Sequence, residues 1–202
     1  MVDRQLRLRD VADERVLAAM ERVPRDAFVP SKLRSRAYDD AALPIGSGQT
    51  ISQPYMVAKI CEALSLRGDE RVLDVGTGSG YQAAVLAELA AEVDTIERIP
   101  ELADVARENL AAAGYDSVRV HVGDGTRGVP DRAPFAAIAI AAAAPRMPQS
   151  LYEQLEPRGR LVLPMGRFGI QRLALIVRSP EGPAVVKSIP CRFVPLLGEE
   201  GF

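Results

Sequence analysis

The feature that most constrains this chain is the stretch Arg71-Val72-Leu73-Asp74-Val75-Gly76-Thr77-Gly78-Ser79-Gly80-Tyr81. Val72, Leu73 and Val75 form a short apolar run of the kind that makes a buried strand. Three glycines at alternate positions then turn the chain. From Tyr81 onward, Ala83, Ala84, Val85, Leu86, Ala87 and Leu89 give a helical pattern. A strand, a glycine-rich turn and a helix in that order predict a doubly wound α/β fold that brings its backbone close to a nucleotide. Glycine is needed because a Cβ would block both the tight backbone angles and the approach of a ligand. The spacing is G-x-G-x-G, and Tyr81 stands where the third glycine of the dinucleotide fingerprint G-x-G-x-x-G belongs. Asp74 sits at the strand end, where a carboxylate repels a pyrophosphate and suits a cationic ligand.

The alternation continues beyond the turn. Val93–Glu97 reads as a strand, 101–113 as a helix closed by Gly114, and Val118–Val122 as a third strand. Phe135–Ala144 is a continuous apolar run, expected as a buried strand. Pro148–Leu155 reads as a short helix, and Arg160–Leu163, Leu173–Val177 and Val185–Val194 as further strands with no long helix between the last two. These elements predict a mostly parallel seven-stranded sheet with an antiparallel C-terminal edge.

Upstream, Val16, Leu17, Met20 and Val23 lie at helical spacing within 13–23, ended by Pro24. Residues 24–50 read mostly as loops, with a short helix near Ser31–Ser35. Pro54 suits a first helical turn, and Met56, Val57, Ile60, Cys61 and Leu64 give that helix an apolar face ended by Gly68. Nothing marks a linker. The expectation is one domain over 1–202, with a helical, active-site segment at 1–65 and the sheet core at 66–202.

Composition narrows the partners. The chain has 202 residues, 48% hydrophobic and 26% charged, enough for one sizeable core. A net charge of -2 gives no basic field for nucleic acid. No apolar run approaches the roughly 20 residues of a membrane span. Met1–Asp10 is charged and lacks the apolar stretch of a signal peptide. Cys61 and Cys191 make no metal spacing, and the single His121 rules out a multi-histidine centre. The expectation is a cytoplasmic monomer with no metal, no nucleic-acid partner and no membrane partner.

Three positions carry chemistry. Glu97 ends the second strand, 19 residues after Gly78, a spacing that suits an acid accepting hydrogen bonds from ribose hydroxyls. Asp124, in Gly123-Asp124-Gly125, is equally compatible with a simple Asp-Gly turn. Ser52, before Gln53 and Pro54, reads first as a helix N-cap. No histidine is placed to make it a nucleophile.

The Asp-x-Gly-x-Gly-x-Gly pattern at 74–80 resembles motif I of the class I S-adenosylmethionine methyltransferases. In that class the loop wraps the amino-acid end of the cofactor and the acid faces its ammonium. Thr50-Ile51-Ser52-Gln53-Pro54-Tyr55-Met56 is more specific. With Gly123-Asp124-Gly125, Ala141–Pro145, Leu161–Gly166 and Arg192–Leu196, it resembles the protein-L-isoaspartate (D-aspartate) O-methyltransferase family, from about Asp26 to Leu197. The resemblance implies a Rossmann-like fold and S-adenosyl-L-methionine as cofactor. It implies cofactor contacts from Thr50, Ile51, Ser52, Asp74, Gly76, Thr77, Gly78, Gly80, Glu97, Asp124 and Gly125, with Asp124 toward the adenine. Ser52 becomes the active-site residue. The substrates would be isoaspartyl-containing proteins and peptides, methylated on the α-carboxylate and repaired through a succinimide. The chain departs from the pattern at Ala136, at the all-alanine run 141–144 and at Met165. A small-molecule methyltransferase would share the loop but not Thr50–Pro54, and a non-catalytic module could keep the cofactor pocket. A nicotinamide oxidoreductase would want G-x-G-x-x-G, which is absent.

Overall fold

The computed structural model describes residues 1–167 and 170–202. One helical turn, Val2–Leu6, precedes α1 (Glu14–Arg22), whose N-cap Asp13 accepts from the backbone N–H of Arg15 and Val16. Two tight helical turns, Arg25–Phe28 and Ser31–Arg36, lead into the hairpin β1 (Leu43–Gly46) and β2 (Gln49–Ile51). Then come α2 (Pro54–Leu64), β3 (Arg71–Val75), α3 (Tyr81–Ala87), β4 (Glu92–Glu97), α4 (Pro100–Ala112) and β5 (Arg119–Val122). The chain continues through β6 (Phe135–Ile140), α5 (Gln149–Glu153), β7 (Leu155–Arg167), β8 (Ile170–Ser179) and β9 (Gly182–Cys191).

Seven strands form one sheet in the order β5-β4-β3-β6-β7-β8-β9. The first five in that order pair in parallel, and β7–β8 and β8–β9 pair antiparallel. Only Pro180 and Glu181 separate β8 from β9, too short for a crossover, so the two must run as a hairpin. That settles the order of the last two strands, which local pattern left open. The strand order reverses between β3 and β6, and in open α/β sheets this switch point is where the strand ends leave a crevice.

The strands are apolar because both faces are covered. Val72 packs with residues of α1, α2 and α3 on one face, while Leu73 and Val75 pack with Phe135, Ile138, Leu161 and Leu151 of α5 on the other.

Three expectations shift. The run 135–144 is a strand only to Ile140; Ala143 and Ala144 instead bridge to Pro195 and Met165. The alanines are apolar because they are buried between these segments, and burial has no period of its own. The strand expected at 160–163 extends over Leu155–Arg167. The hairpin β1–β2 falls in the stretch read as loops. Ser47 and Gly48, at φ 50° and 71°, both hold left-handed backbone, the geometry of a two-residue hairpin turn. Gly-Ser-Gly was the available signal.

Arg25 anchors the N-terminal segment. It is 0% exposed, donates through Nε to the Ala37 carbonyl at 2.7 Å, and lies 4.9 Å from the Tyr81 ring centre. Burial pushes its guanidinium pKa down, opposed by Tyr81 and Asp40. Arg25→Ala would orphan a buried carbonyl and leave a cavity beside Phe28 and Tyr81. We expect a loss of about 3 kcal/mol in urea unfolding. A loss within error of zero would mean that the segment is held elsewhere.

Candidate active site

A cavity of about 810 Å³ opens at the switch point. Its floor is the C-terminal ends of the parallel strands: Val75 and Gly76 after β3, Ile96 and Glu97 of β4, Gly125 beyond β5, and Ala141 and Ala142 after β6. One wall is β2 and the approach to α2, with Gln49, Thr50, Ile51 and Ser52. The C-terminal segment Val194–Leu197 closes another side. It is laid beside the end of β6 by Ala143 N donating to the Val194 carbonyl at 2.8 Å and Leu196 N to the Ala143 carbonyl at 2.7 Å.

The turn after β3 is held by backbone bonds. Gly76 N donates to the Ile96 carbonyl at 2.9 Å, and Gly78 N to Glu97 Oε2 at 2.9 Å. Gly78 has φ 54°, and a Cβ there would meet Ile45 Cδ1 of the hairpin at 3.2 Å. Hairpin and turn therefore touch across the cavity rim. Glu97 is 6% exposed, and its Oε1 accepts from Ile99 N at 3.1 Å. It is a buried cavity-wall carboxylate rather than a surface group paired with Arg98.

Of the residues expected from sequence, Thr50, Ile51, Ser52, Gly76, Thr77, Gly78, Glu97 and Gly125 line this one cavity. Asp74, Gly80 and Asp124 do not. Asp74 is 0% exposed, and its carboxylate turns inward to accept from Gln82 Nε2 at 2.7 Å and Thr95 Oγ1 at 2.8 Å. A Cβ on Gly80 would meet Leu110 Cγ at 3.0 Å, so this glycine serves the close packing of the turn against α4. Asp124 caps the short turn Gly125–Arg127 through Thr126 N and Oγ1, and its Oδ2 takes Glu199 N at 2.9 Å. Both its oxygens are engaged by the chain, one of them by the C-terminal tail.

Ser52 also departs from its local reading. The N-cap of α2 is Gln53, with no side-chain cap bond. The Ser52 hydroxyl has no hydrogen-bond partner among the described residues. Ala136 and Met165 stay outside the cavity lining. Sequence reasoning missed Ile45, Gln49, Gln82, Ala141, Ala142 and Val194–Leu197. Signals were available for Ala141 and Ala142, in the Ala141–Pro145 segment, and for Val194–Leu196, in the Arg192–Leu196 segment.

Burial raises the Asp74 carboxyl to about 6, against the lowering bonds from Gln82 and Thr95 and with Glu97 adding repulsion. Its ordinary value is about 3.9, so folding raises it. Its contribution to stability is then full below about pH 4 and is lost as pH rises through about 6. Asp74→Asn removes the titration. Relative to the parent it should gain up to about 3 kcal/mol between pH 4 and pH 7, read as a widening Tm difference. A flat difference would place the raised carboxyl elsewhere.

The comparisons agree with this geometry. The family model for Protein-L-isoaspartate(D-aspartate) O-methyltransferase matches residues 1–201. A protein-L-isoaspartate O-methyltransferase of Methanoculleus marisnigri is 54% identical over 205 residues, covering 100% of this chain and 92% of its own. A Marinobacter nauticus protein-L-isoaspartate O-methyltransferase 2 is 57% identical over 204 residues, covering 100% and 93%. Among solved structures, a protein-L-isoaspartate O-methyltransferase superposes with TM-score 0.87 at 26% identity, covering 100% of this chain and 67% of that one. One from Plasmodium falciparum, in complex with S-adenosyl-L-homocysteine, shares the fold with TM-score 0.83 at 23% identity, covering 97% and 96%. These matches span the Thr50–Pro54 segment as well as the glycine turn, and a small-molecule methyltransferase is not favoured. From Met1 to Gly201, the chain belongs to the protein-L-isoaspartate (D-aspartate) O-methyltransferase family.

Proposed function

We propose that the cavity holds S-adenosyl-L-methionine against the glycine turn and Glu97, and that Ser52 orients the isoaspartyl α-carboxylate to be methylated. The activity is methylation of isoaspartyl residues, and isoaspartyl-containing proteins are the substrates. The carrying observation is an unengaged serine hydroxyl on the wall of the cavity that also contains Gly76–Gly78 and Glu97.

The residues fit the cofactor. The cleft sets the glycine turn, Glu97 and Thr50–Ser52 around one space at the switch point, where such ligands bind. Each Glu97 oxygen holds one backbone N–H and keeps lone pairs for the two ribose hydroxyls. The cofactor, when bound, supplies a methyl group on an electrophilic sulfonium. The chain supplies alignment. An isoaspartyl carboxylate is already ionised at neutral pH, so no general base is required. His121 is no candidate for one, since it lies outside the cavity with Nε2 2.7 Å from Asp94 Oδ1. Ser52 Oγ donates to one carboxylate oxygen and leaves the other to react. Fixing that approach removes orientational freedom, a contribution of up to about 7–11 kcal/mol in favourable cases. The ester then cyclises to a succinimide without help from the protein. Backbone groups near Ser52, Met165 and the C-terminal strands contact the peptide.

The test is label transfer from methyl-labelled cofactor to an isoaspartyl peptide and its normal aspartyl twin. We expect transfer to the first only. Equal transfer to both, or none to either, would overturn the reading. Glu97→Ala should weaken the cofactor by about 1.5–3 kcal/mol in calorimetry. An unchanged affinity would leave Glu97 as a brace for Gly78 alone.

We further propose a cytoplasmic monomer that engages neither nucleic acid nor membrane, with 1–65 and 66–202 acting as one domain. The free cysteines Cys61 and Cys191 support a reducing compartment. A net charge of -2 gives nucleic acid little attraction. No described helix is long and apolar enough to cross a membrane. Packing of α1 and α2 in the same core as Val72 supports the single domain. Sedimentation should give 21.8 kDa, and a doubled mass would overturn the monomer.

A further inference from the structure

Ser52 lies in the two-residue link between β2, which ends at Ile51, and α2, which begins at Pro54. Its hydroxyl has no partner among the described residues, and Gln53 gives α2 no side-chain cap. The place of that hydroxyl therefore follows from how the hairpin and α2 sit against each other. Residues 9–13 run along one face of α2. Tyr55 OH donates to Asp10 Oδ1 at 2.6 Å, and Lys59 Nζ to the Asp10 carbonyl at 3.0 Å and to Glu62 Oε2 at 2.5 Å. Glu62 Oε1 accepts from Ala12 N at 2.7 Å and Asp13 N at 3.1 Å. Tyr55, Lys59 and Glu62 are spaced by four and three residues, so they share a helix face.

Arg9 joins this face to the hairpin. Its guanidinium carbon lies 3.5 Å from the centre of the Tyr55 ring, and its Nη1 lies 2.9 Å from Asp40 Oδ2. Tyr55 stands three residues after Ser52, in the first turn of α2. Asp40 stands three residues before Leu43, and Leu43 pairs with Ile51, the neighbour of Ser52. The contacts thus close a ring through Arg9, Tyr55, Ser52, Ile51, Leu43 and Asp40. A planar guanidinium offers its face to the ring and its edge to the carboxylate at once, which a lysine ammonium does not. The pair is part-exposed, 43% at Arg9 and 30% at Asp40, so it adds little to global stability. Its geometric effect is larger, since misplacing an aligning group by about 1 Å lowers a rate roughly 100-fold.

We propose that Arg9 is a positioning residue for Ser52, clasping the first turn of α2 to the root of the hairpin and so setting where the serine hydroxyl stands. The inference deepens the Ser52 reading above and rests on it. No motif had singled out Arg9.

The test is steady-state kinetics on an isoaspartyl peptide for the parent, Arg9→Ala, Ser52→Ala and the double variant. Arg9→Ala should lower kcat by roughly 10- to 100-fold. Its calorimetric affinity for S-adenosylhomocysteine should stay within roughly threefold of the parent, and its Tm should fall by no more than about 4 °C. In the Ser52→Ala background the same change should lower kcat by less than roughly threefold, because the group it positions is gone. A residue that only props the fold would lower turnover equally in both backgrounds. Asp40→Asn breaks the clasp from the hairpin side. It should lower kcat in the parent and not in the Ser52→Ala background, and it carries the test if Arg9→Ala does not fold. Parent-like turnover in either clasp variant, or an equal fall in both backgrounds, would overturn the inference with the Ser52 reading intact. Parent-like turnover in Ser52→Ala alone would overturn that reading and this inference with it.

Discussion

Gly78→Val is expected to abolish S-adenosylmethionine binding. Gly78 sits at φ 54°, where a β-branched residue is a strained outlier. The backbone term alone is about 1–2 kcal/mol. The first added carbon would stand 3.2 Å from Ile45 Cδ1, and valine adds two methyls beyond it. They must displace either the hairpin or the space beside the turn. The same residue donates its N–H to Glu97, so a shifted Gly78 also loosens the carboxylate assigned to the ribose. Calorimetry should show a fall of at least roughly 100-fold, about 2.7 kcal/mol, with the far-ultraviolet spectrum retained. Gly78→Ala, without the β-branch, should fall between the two. Parent-like affinity in a folded Gly78→Val protein would sink the assignment of this turn to the cofactor.

Ser52→Ala is expected to lower turnover by roughly 10- to 1000-fold with little change in cofactor affinity. A helix-capping serine would have cost about 1 kcal/mol of stability on replacement by alanine. Here the capping position is Gln53 and the serine hydroxyl has no partner, so the stability loss should stay within about 0.5 kcal/mol. Stability and activity should therefore separate cleanly. Ser52→Asn should likewise leave stability near the parent value and not restore turnover, because its oxygen is differently placed and its amide bulkier. An alanine variant that methylates isoaspartyl peptide at the parent rate would show that the alignment comes from another group.

Much of the fold was legible locally. A strand, a glycine turn and a helix at 71–87 define one another within a few residues, and the alternation that follows repeats the same logic. The hairpin at 43–51 was missed because its strands are very short, four residues and three, and only its turn carried a signal. The strand expected at 160–163 was drawn too short on its N-terminal side because Glu156, Pro157, Arg158 and Gly159 read as a turn.

The sequence by itself determined the parallel sheet, the position of its cleft, and Gly78 and Glu97 beside that cleft, each from short-range pattern or spacing. Ser52 joined them only through the family resemblance, since its local pattern reads as a helix cap. Tertiary structure alone decided where three polar or turn residues point. Asp74 lies on the strand face that α3 folds over, so Gln82, eight residues later, reaches its carboxylate first. Gly80 meets Leu110 from the next helix, and Asp124 is claimed by Glu199 from the far end of the chain. Residue type and spacing say that a carboxylate stands at a strand end. Which donor satisfies it depends on groups brought close only by folding, and a buried carboxylate turns toward whichever of them it meets.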